Sequence, residues 1–202
     1  MNVYTIVVGF LQTNCYLAVS APGPEAVVID PGAQGGRILK EIEKANLKIE
    51  YILLTHGHFD HTRGLKEVRR ALNVPVLAHE KEAEFMKVKA AERARYEPGV
   101  RSPMFLTLRE GDEIAFGPER LKALHTPGHT PGGACYLAAG GDICFTGDTL
   151  FSDGVGRTDF AGGDARALDG AIRTKLLTLP DATRIYPGHG PASTIGREKR
   201  YF

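Results

Sequence analysis

A short segment rich in metal-ligating side chains limits what this chain can fold into more than any other feature. Residues 55–61 read Thr-His-Gly-His-Phe-Asp-His and directly follow an apolar run, Tyr51 to Leu54, that predicts a buried strand. Neutral imidazole is a good ligand for zinc, iron or nickel, and a carboxylate adds an oxygen donor. Imidazoles packed this closely would repel one another when protonated and would add little to folding. The segment therefore predicts a metal site that the fold must accommodate.

The spacing within this segment predicts two neighbouring metal positions. In an extended segment alternate side chains point the same way, so His56 and His58 can converge on one ion. If the chain then turns into a helix, Asp60 and His61 are carried to an adjacent position. Gly57 allows the backbone to bend there without a side-chain clash.

Three further candidate ligands lie in glycine-containing loops that each follow a predicted strand. His129 lies in Thr-Pro-Gly-His-Thr-Pro-Gly, Asp148 in Thr-Gly-Asp-Thr, and His189 in Tyr-Pro-Gly-His-Gly-Pro. Such loops are where a rigid sheet presents reactive groups. Considered alone, each of the three could instead be an ordinary loop residue that binds no metal. His79 and His125 lie in no comparable turn and are not predicted to be ligands.

The apolar pattern predicts an α/β fold in which two halves, each of strands followed by helices, form two packed sheets flanked by helices. We predict strands at Val3–Val8, Asn14–Val19, Glu25–Ile29, Tyr51–Leu54, Val74–Ala78, Phe105–Leu108, Glu113–Phe116, Leu121–His125, Ala134–Ala139, Ile143–Thr146 and Thr183–Tyr186. The first three should form an antiparallel meander, and Asp30, which ends it before Pro31, is predicted to be a turn residue that bonds its own backbone. Helices are predicted around residues 38–45, at 65–72, at 80–96 as a surface helix, and at 164–177.

Composition and charge make several functions improbable. The 25 Lys plus Arg nearly balance the 24 Asp plus Glu, so the net charge of +1 gives no pull on nucleic acid or an anionic membrane. No apolar run approaches the roughly 20 residues that span a bilayer, and no signal peptide is visible. Cys15, Cys135 and Cys144 lie in predicted strands and are expected to be buried thiols. We expect a cytoplasmic monomer or small homo-oligomer without nucleic-acid or membrane partners.

The motifs resemble those of the metallo-β-lactamase superfamily, in the same order and over essentially the whole chain. They are Thr-His-Gly-His-Phe-Asp-His, Thr-Pro-Gly-His-Thr-Pro-Gly, Phe-Thr-Gly-Asp-Thr-Leu-Phe and Tyr-Pro-Gly-His-Gly. Residues 151–163 most closely resemble the small glyoxalase II-like, or hydroxyacylglutathione hydrolase-like, proteins of that superfamily. The resemblance implies one domain over residues 1–202, a four-layer αβ/βα sandwich of two mixed sheets flanked by helices, without the C-terminal helical region of full-length glyoxalase II.

The resemblance also implies a metal centre and a reaction. Two divalent ions per chain are expected, with zinc favoured and iron or manganese as alternatives. One ion would be held by His56, His58 and His129, the other by Asp60, His61 and His189, and Asp148 would bridge them. The ions would activate a shared water to hydrolyse a small-molecule acyl-thioester such as S-lactoylglutathione. Asp60 is further expected to act catalytically, by orienting that water and accepting its proton.

Two basic residues are the predicted substrate-binding residues. Arg157 can form two parallel hydrogen bonds with a substrate carboxylate. An alternative role of equal weight is a surface ion pair with Asp159. Lys199 resembles part of the tail through which larger relatives contact glutathione. The alternative is that Lys199 is an ordinary charged residue exposed to solvent. Three residues of the 80–96 helix are expected to pack that helix rather than to wall the pocket: Phe85, Met86 and Tyr96.

Two other functions remain open at the level of the sequence. The run Gly-Arg-Thr-Asp-Phe at 156–160 is shared with iron-dependent persulfide dioxygenases of the same fold, so a dioxygenase is the first alternative. The second is a metal-binding module without catalysis. Oxygen consumption with a persulfide, or metal retention without any activity, would distinguish them from a hydrolase.

Overall fold

The computed structural model describes residues 1–94 and 105–202, with side chains given for residues 1–90 and 105–202. Two six-stranded sheets pack face to face in the described residues. Their facing side chains form one apolar core, in which Ile29 and Leu53 of the first sheet pack with Phe116, Tyr136 and Phe145 of the second. The predicted contribution of Tyr96 to helix packing lies outside the described residues.

The first sheet has the order β1-β2-β3-β4-β5-β6. Its strands are β1 Asn2–Val8, β2 Thr13–Val19, β3 Glu25–Ile29, β4 Lys48–Leu53, β5 Val76–His79 and β6 Leu106–Leu108. The first three strands are antiparallel, which confirms the predicted meander. From β3 to β6 the pairing is parallel, so the sheet is mixed.

The second sheet has the order β14-β13-β10-β9-β8-β7, and a two-stranded ribbon, β11 and β12, lies beside it. The strands are β7 Glu113–Phe116, β8 Glu119–His125, β9 Ala134–Ala138, β10 Ile143–Gly147, β11 Leu150–Phe151, β12 Gly154–Val155, β13 Arg184–Pro187 and β14 Ser193–Thr194. Strands β8 and β10 are both antiparallel to β9, and β10 is parallel to β13. The loops after β8, β10 and β13 therefore leave the sheet at the same edge.

Helices cover the outer faces of both sheets. They are α1 Gly35–Lys44, α2 Phe59–Thr62, α3 Leu65–Leu72, α4 Glu80–Ala94, α5 Ala165–Ala171 and α6 Ile195–Glu198. Ile38 and Ile42 of α1 lie one turn apart and pack on the first sheet, and Leu168 of α5 packs on the second. The predicted four-layer α/β sandwich is thus the observed architecture.

Two helices differ from their predictions. The helix predicted at 164–177 changes to a π-helix at Ile172–Leu176, in which Ile172 and Leu176 stay buried. Helix α4 is not simply a surface helix, because Glu82 and Ala83 in its first turns are buried. The three cysteines are free and buried, as predicted. Within the described parts of the chain, no helix is long and apolar enough to cross a membrane.

Candidate metal centre

The sequence-selected ligands come together where the loops after β4, β8, β10 and β13 meet. Among the described residues, three groups of three residues each offer ligand atoms within 4.8 Å of one another. The first, here called the three-histidine group, consists of His56, His58 and His129, and the second, the Asp60 group, consists of Asp60, His61 and His189. The third, Asp30, His56 and His61, takes one histidine from each of these two groups.

Asp148 lies between the two groups. Its Oδ1 atom is 3.3 Å from Nε2 of His61, and its Oδ2 atom is 3.5 Å from Nε2 of His129 and 3.7 Å from Nε2 of His189. One carboxylate therefore faces imidazoles of both groups, which is the arrangement that a residue shared by two ions requires.

The nitrogen atoms within each group point at one another. Nδ1 of His58 lies 2.9 Å from Nε2 of His129, and Nε2 of His61 lies 3.3 Å from Nε2 of His189. In the Asp60 group, Oδ2 of Asp60 is 3.1 Å from the same nitrogen of His189. Such convergence of nitrogen and oxygen atoms offers a divalent cation several ligands at once.

Two orphaned atoms indicate that a cation fits this centre. Among the described residues, the buried side-chain polar atoms without a hydrogen-bond partner are Nε2 of His56, Oδ1 of Asp148 and Oγ of Ser20. Oδ1 of Asp148 is within ion-pair range of His61, as given above, but makes no hydrogen bond of good geometry. A buried polar atom left unpaired costs about 1–3 kcal/mol. A divalent ion would satisfy the two orphans of the centre, and imidazole nitrogen with carboxylate oxygen is a suitable donor set.

Asp30 is a site residue, and its prediction as a simple turn residue was wrong. Its carboxylate is buried and accepts hydrogen bonds from the Thr55 backbone N–H at 2.8 Å and the Thr55 hydroxyl at 2.6 Å. Its Oδ2 atom also lies 2.9 Å from Nδ1 of His61. An Nδ1–H donated to Asp30 leaves Nε2 of His61 free to face the centre. The sequence signal was present, since Asp30 follows its strand as the other site residues follow theirs.

Backbone carbonyls orient two more imidazoles in the same way. Nδ1 of His129 lies 2.7 Å from the Arg157 carbonyl oxygen, and Nδ1 of His189 lies 3.0 Å from the Leu11 carbonyl oxygen. With each Nδ1–H donated outward, the Nε2 atoms are the ones left to bind a ligand.

Burial and neighbouring charges give the residues of the centre very different pKa values. Burial, and then the surrounding imidazoles, lower the pKa of His56 well below its usual range, and the same causes lower the pKa of His58 to about 4. Burial also opposes protonation of His61, but the carboxylates of Asp148 and Asp30 outweigh it and raise its pKa. For Asp60 the effect of burial is outweighed by the hydrogen bond from His189 and the charge of His61, so its pKa falls to about 2.

Acidification is expected to weaken metal binding at the Asp60 group before the three-histidine group. Ligation requires deprotonated imidazole, so affinity falls as pH falls. The pKa values of His61 and His189 are raised, and protons compete with the ion near neutral pH, whereas His58 takes up a proton only near its lowered pKa of about 4. Below the raised pKa values of these two imidazoles, affinity at the Asp60 group should fall roughly tenfold per pH unit for each proton displaced. Zinc competition titrations at neutral and mildly acidic pH would measure this fall, and equal slopes for the two groups would contradict it.

A cavity of about 890 Å³ opens from the centre. His58, Asp60, His129, Asp148 and His189 contribute to its lining. The other walls are mostly apolar and include Leu11, Phe59, Phe85, Met86, Phe151, Val155 and Phe160. Phe85 and Met86 therefore line the pocket, contrary to the prediction that they only pack their helix, although Met86 also packs against the core.

The predicted substrate-binding residues have different positions. Arg157 lines the cavity, but its guanidinium makes two hydrogen bonds to Asp159, at 2.7 and 2.6 Å, and lies 4.0 Å from the ring centre of Phe160. The ion pair that the sequence offered as the alternative is thus present. Lys199 is not brought to the cavity, because its ammonium group bonds to Asp181 and to the Leu179 carbonyl.

Within the part of the chain that the structure describes, His79 and His125 belong to none of the candidate metal groups. Their rings stack on each other with centroids 4.0 Å apart. Nε2 of His125 also lies 3.0 Å from the Pro131 carbonyl oxygen. That the two histidines are not ligands stays a prediction.

Comparison with known proteins gives matches over nearly the whole chain. The family model described as the metallo-beta-lactamase superfamily matches residues 8–189. The hydroxyacylglutathione hydrolase GloC of Haemophilus influenzae is 37% identical over 204 residues, which cover 99% of this chain and 96% of the relative.

Two solved structures are similar in both fold and sequence. The BLEG-1 B3 metallo-beta-lactamase has a TM-score of 0.86 and 34% identity, and TTHA1623 in a di-iron-bound form has a TM-score of 0.83 and 35% identity. Each match covers 98% of this chain and 97% of the other.

Proposed function

Because this chain belongs to the metallo-β-lactamase superfamily, we propose that it is a metal-dependent hydrolase that cleaves an acyl-thioester. The observation that carries the proposal is the pair of three-residue donor groups that share Asp148 at one side of an apolar cavity. The similarity to a hydroxyacylglutathione hydrolase supports a thioester substrate such as S-lactoylglutathione. The similarity to a protein with bound di-iron supports a centre of two ions.

We assign one ion to the three-histidine group and the other to the Asp60 group, with Asp148 shared. Zinc is the metal we propose, and iron or manganese are alternatives, because imidazole and carboxylate ligands accept all three. Two such ions would supply a water whose pKa is lowered from near 16 toward 7, and a Lewis acid that polarises the substrate carbonyl. The oriented imidazoles and carboxylates of the chain would hold the two ions in position.

Asp60 is the residue that we propose for orienting the attacking water. Its low pKa keeps the carboxylate ionised at neutral pH, and the Thr13 hydroxyl, 3.3 Å from Oδ2, restrains it. A carboxylate of such low basicity would hold the proton of the water only briefly. The departing thiolate, with a solution pKa of about 8.5, is the better final acceptor, so no separate strong acid is needed.

The cavity favours substrate recognition through apolar contacts. Phe59 and Phe160 are about half exposed at the cavity, with 53% and 45% of their surface accessible. Exposed apolar side chains gathered at a concave site are typical of ligand binding. Asp159 occupies the Nε and Nη2 edge of the Arg157 guanidinium, so only the remaining N–H groups of Arg157 are left to bind a substrate carboxylate. We therefore propose that the acyl group contacts this apolar wall.

The test is an activity panel on the zinc-loaded protein and on the same protein stripped with a chelator. We expect release of thiol from S-lactoylglutathione and from a butyryl thioester of the same thiol, loss of release on stripping, and recovery when zinc is returned. A loaded protein that leaves every thioester intact would overturn the proposal. Oxygen uptake with glutathione persulfide by the iron-loaded form would instead support the dioxygenase alternative.

A further inference from the structure

A completely buried carboxylate lies in the first turn of α4. Glu82 has 0% of its surface exposed, which is rare for glutamate unless its charge is compensated. Its Oε1 atom accepts a hydrogen bond from the Gly57 backbone N–H at 2.8 Å. Its Oε2 atom accepts from the Thr130 hydroxyl at 2.7 Å and from the Gly132 backbone N–H at 3.1 Å. Three donors therefore converge on one side chain.

These donors belong to the two loops that form the three-histidine group. Gly57 lies between His56 and His58, and Thr130 directly follows His129. The loop after β4 and the loop after β8 come from different sheets and are separated by about seventy residues. The buried Glu82 carboxylate is a direct link between them.

The contact between α4 and the second loop leaves no room for rearrangement. A Cβ atom added at Gly132 would overlap the Glu82 backbone and lie 2.6 Å from its Cβ atom. The same helix lines the cavity through Phe85 and Met86. Glu82 thus joins the cavity wall to both ligand loops.

The Asp60 group has different supports. His61 contacts Asp30, and His189 contacts the Leu11 carbonyl oxygen. Neither contact involves α4, so a change at Glu82 should reach one group and leave the other in place.

We propose that Glu82 is a positioning residue that holds the two loops in register so that His58 and His129 converge on one ion. This inference rests on the proposed role of these histidines as ligands. Among the described residues, Glu82 belongs to none of the candidate ligand groups, and it acts through its hydrogen bonds to the loops.

Glutamine is the informative substitution because it keeps the size of the side chain and changes its hydrogen-bonding capacity. Its single amide oxygen can replace only one of the two carboxylate oxygens. The amide nitrogen is a donor, and in either orientation it would face a donor, the Gly57 N–H or the Thr130 and Gly132 pair. A buried donor without an acceptor destabilises the local arrangement.

The experiment titrates metal-free protein with zinc in competition with a chromophoric chelator, which resolves two binding constants. The constant that His58→Ala removes identifies the three-histidine group. We expect Glu82→Gln to weaken that constant by about 10- to 100-fold, the usual effect of losing a partner behind a ligand. The other constant should change by no more than about twofold. Glu84→Gln, at an exposed carboxylate on the same helix, is the matched control and should change neither.

A second variant keeps the test decisive if Glu82→Gln does not fold. Thr130→Val removes one of the three donors at nearly constant size and should weaken the same constant by a smaller factor. Unchanged constants in a folded variant, or equal weakening of both, would overturn the inference. A wild-type protein that binds fewer than two zinc ions would instead overturn the proposed function, so the two failures are distinguishable.

Discussion

Replacing Asp148 with alanine is expected to remove thioester hydrolysis and to lower the bound metal per chain. Its carboxylate lies within 3.7 Å of imidazole nitrogens from both donor groups, and its Oδ1 atom is one of the orphaned buried atoms. Loss of a partner behind a ligand typically costs 10- to 100-fold in activity, and loss of a shared ligand should exceed about 100-fold. Thiol release and elemental analysis on the same preparation would measure both effects.

The matched control for this variant is Asp169→Ala. Asp169 is an exposed carboxylate that pairs with Arg173 on a helix, and such surface pairs contribute about 0–1 kcal/mol. Activity and metal content should both match the wild type. Turnover by Asp148→Ala within a few-fold of wild type would remove Asp148 from the proposed centre.

Replacing Gly188 with alanine is expected to disrupt the centre without removing any ligand. An added Cβ atom would overlap Oδ1 of Asp148 and lie 2.6 Å from Cε1 of His61. The backbone cannot move away easily, because the Gly188 N–H donates to the Gly147 carbonyl at 2.8 Å and its own carbonyl accepts from the Asn14 N–H at 2.7 Å. Overpacking of this kind costs about 1–3 kcal/mol. We expect lower metal content, loss of most activity and a lower melting temperature of the metal-free protein.

Gly170→Ala provides the comparison at a glycine with space around it. No atom lies within 4 Å of an added Cβ there, and the residue belongs to α5. Alanine in a helix is favoured over glycine by about 0.5–1 kcal/mol, so this variant should be slightly more stable and fully active. A Gly188→Ala protein with wild-type metal content and melting temperature would show that the close approach of Gly188 to Asp148 and His61 is not required for the centre.

The parts of the site that could be predicted from sequence are those whose chemistry is concentrated locally. His56, His58, Asp60 and His61 lie within six residues, so their composition alone indicated a metal site. His189 was distant in sequence, but it followed a strand in a glycine-containing loop. Loops of this kind present reactive groups, which selected His189 as a candidate, and the convergence of the loops on one centre was an implication of the family resemblance.

The residues that sequence reasoning missed act through contacts between distant segments. Asp30 bonds to Thr55 and His61, which are 25 and 31 residues away, and Glu82 bonds to donors up to 50 residues away. Asp30 follows its strand as the other site residues do, but nothing local shows which residues it bonds, and nothing local distinguishes Glu82 from a surface residue. The ion pair of Arg157 with Asp159 was foreseeable, because the two residues are only two positions apart.

The fold was predictable to a similar degree. The alternation of strands and helices indicated two flanked sheets, and the meander of β1 to β3 followed from short polar connections between apolar runs. The change from α-helix to π-helix at Ile172 has no signal of that kind, since Ile172 and Leu176 continue the apolar pattern and pack in the same core cluster as Leu168.

The number of metal ions per chain shows whether the four loops assemble two adjacent metal positions. Protein purified without added metal, then saturated with zinc and freed of excess, should contain about two ions per chain by elemental analysis, and His58→Ala should contain about one fewer. A saturated wild-type protein that contains only one ion per chain or none, or a ratio that His58→Ala leaves unchanged, would show that the loops do not form two metal positions.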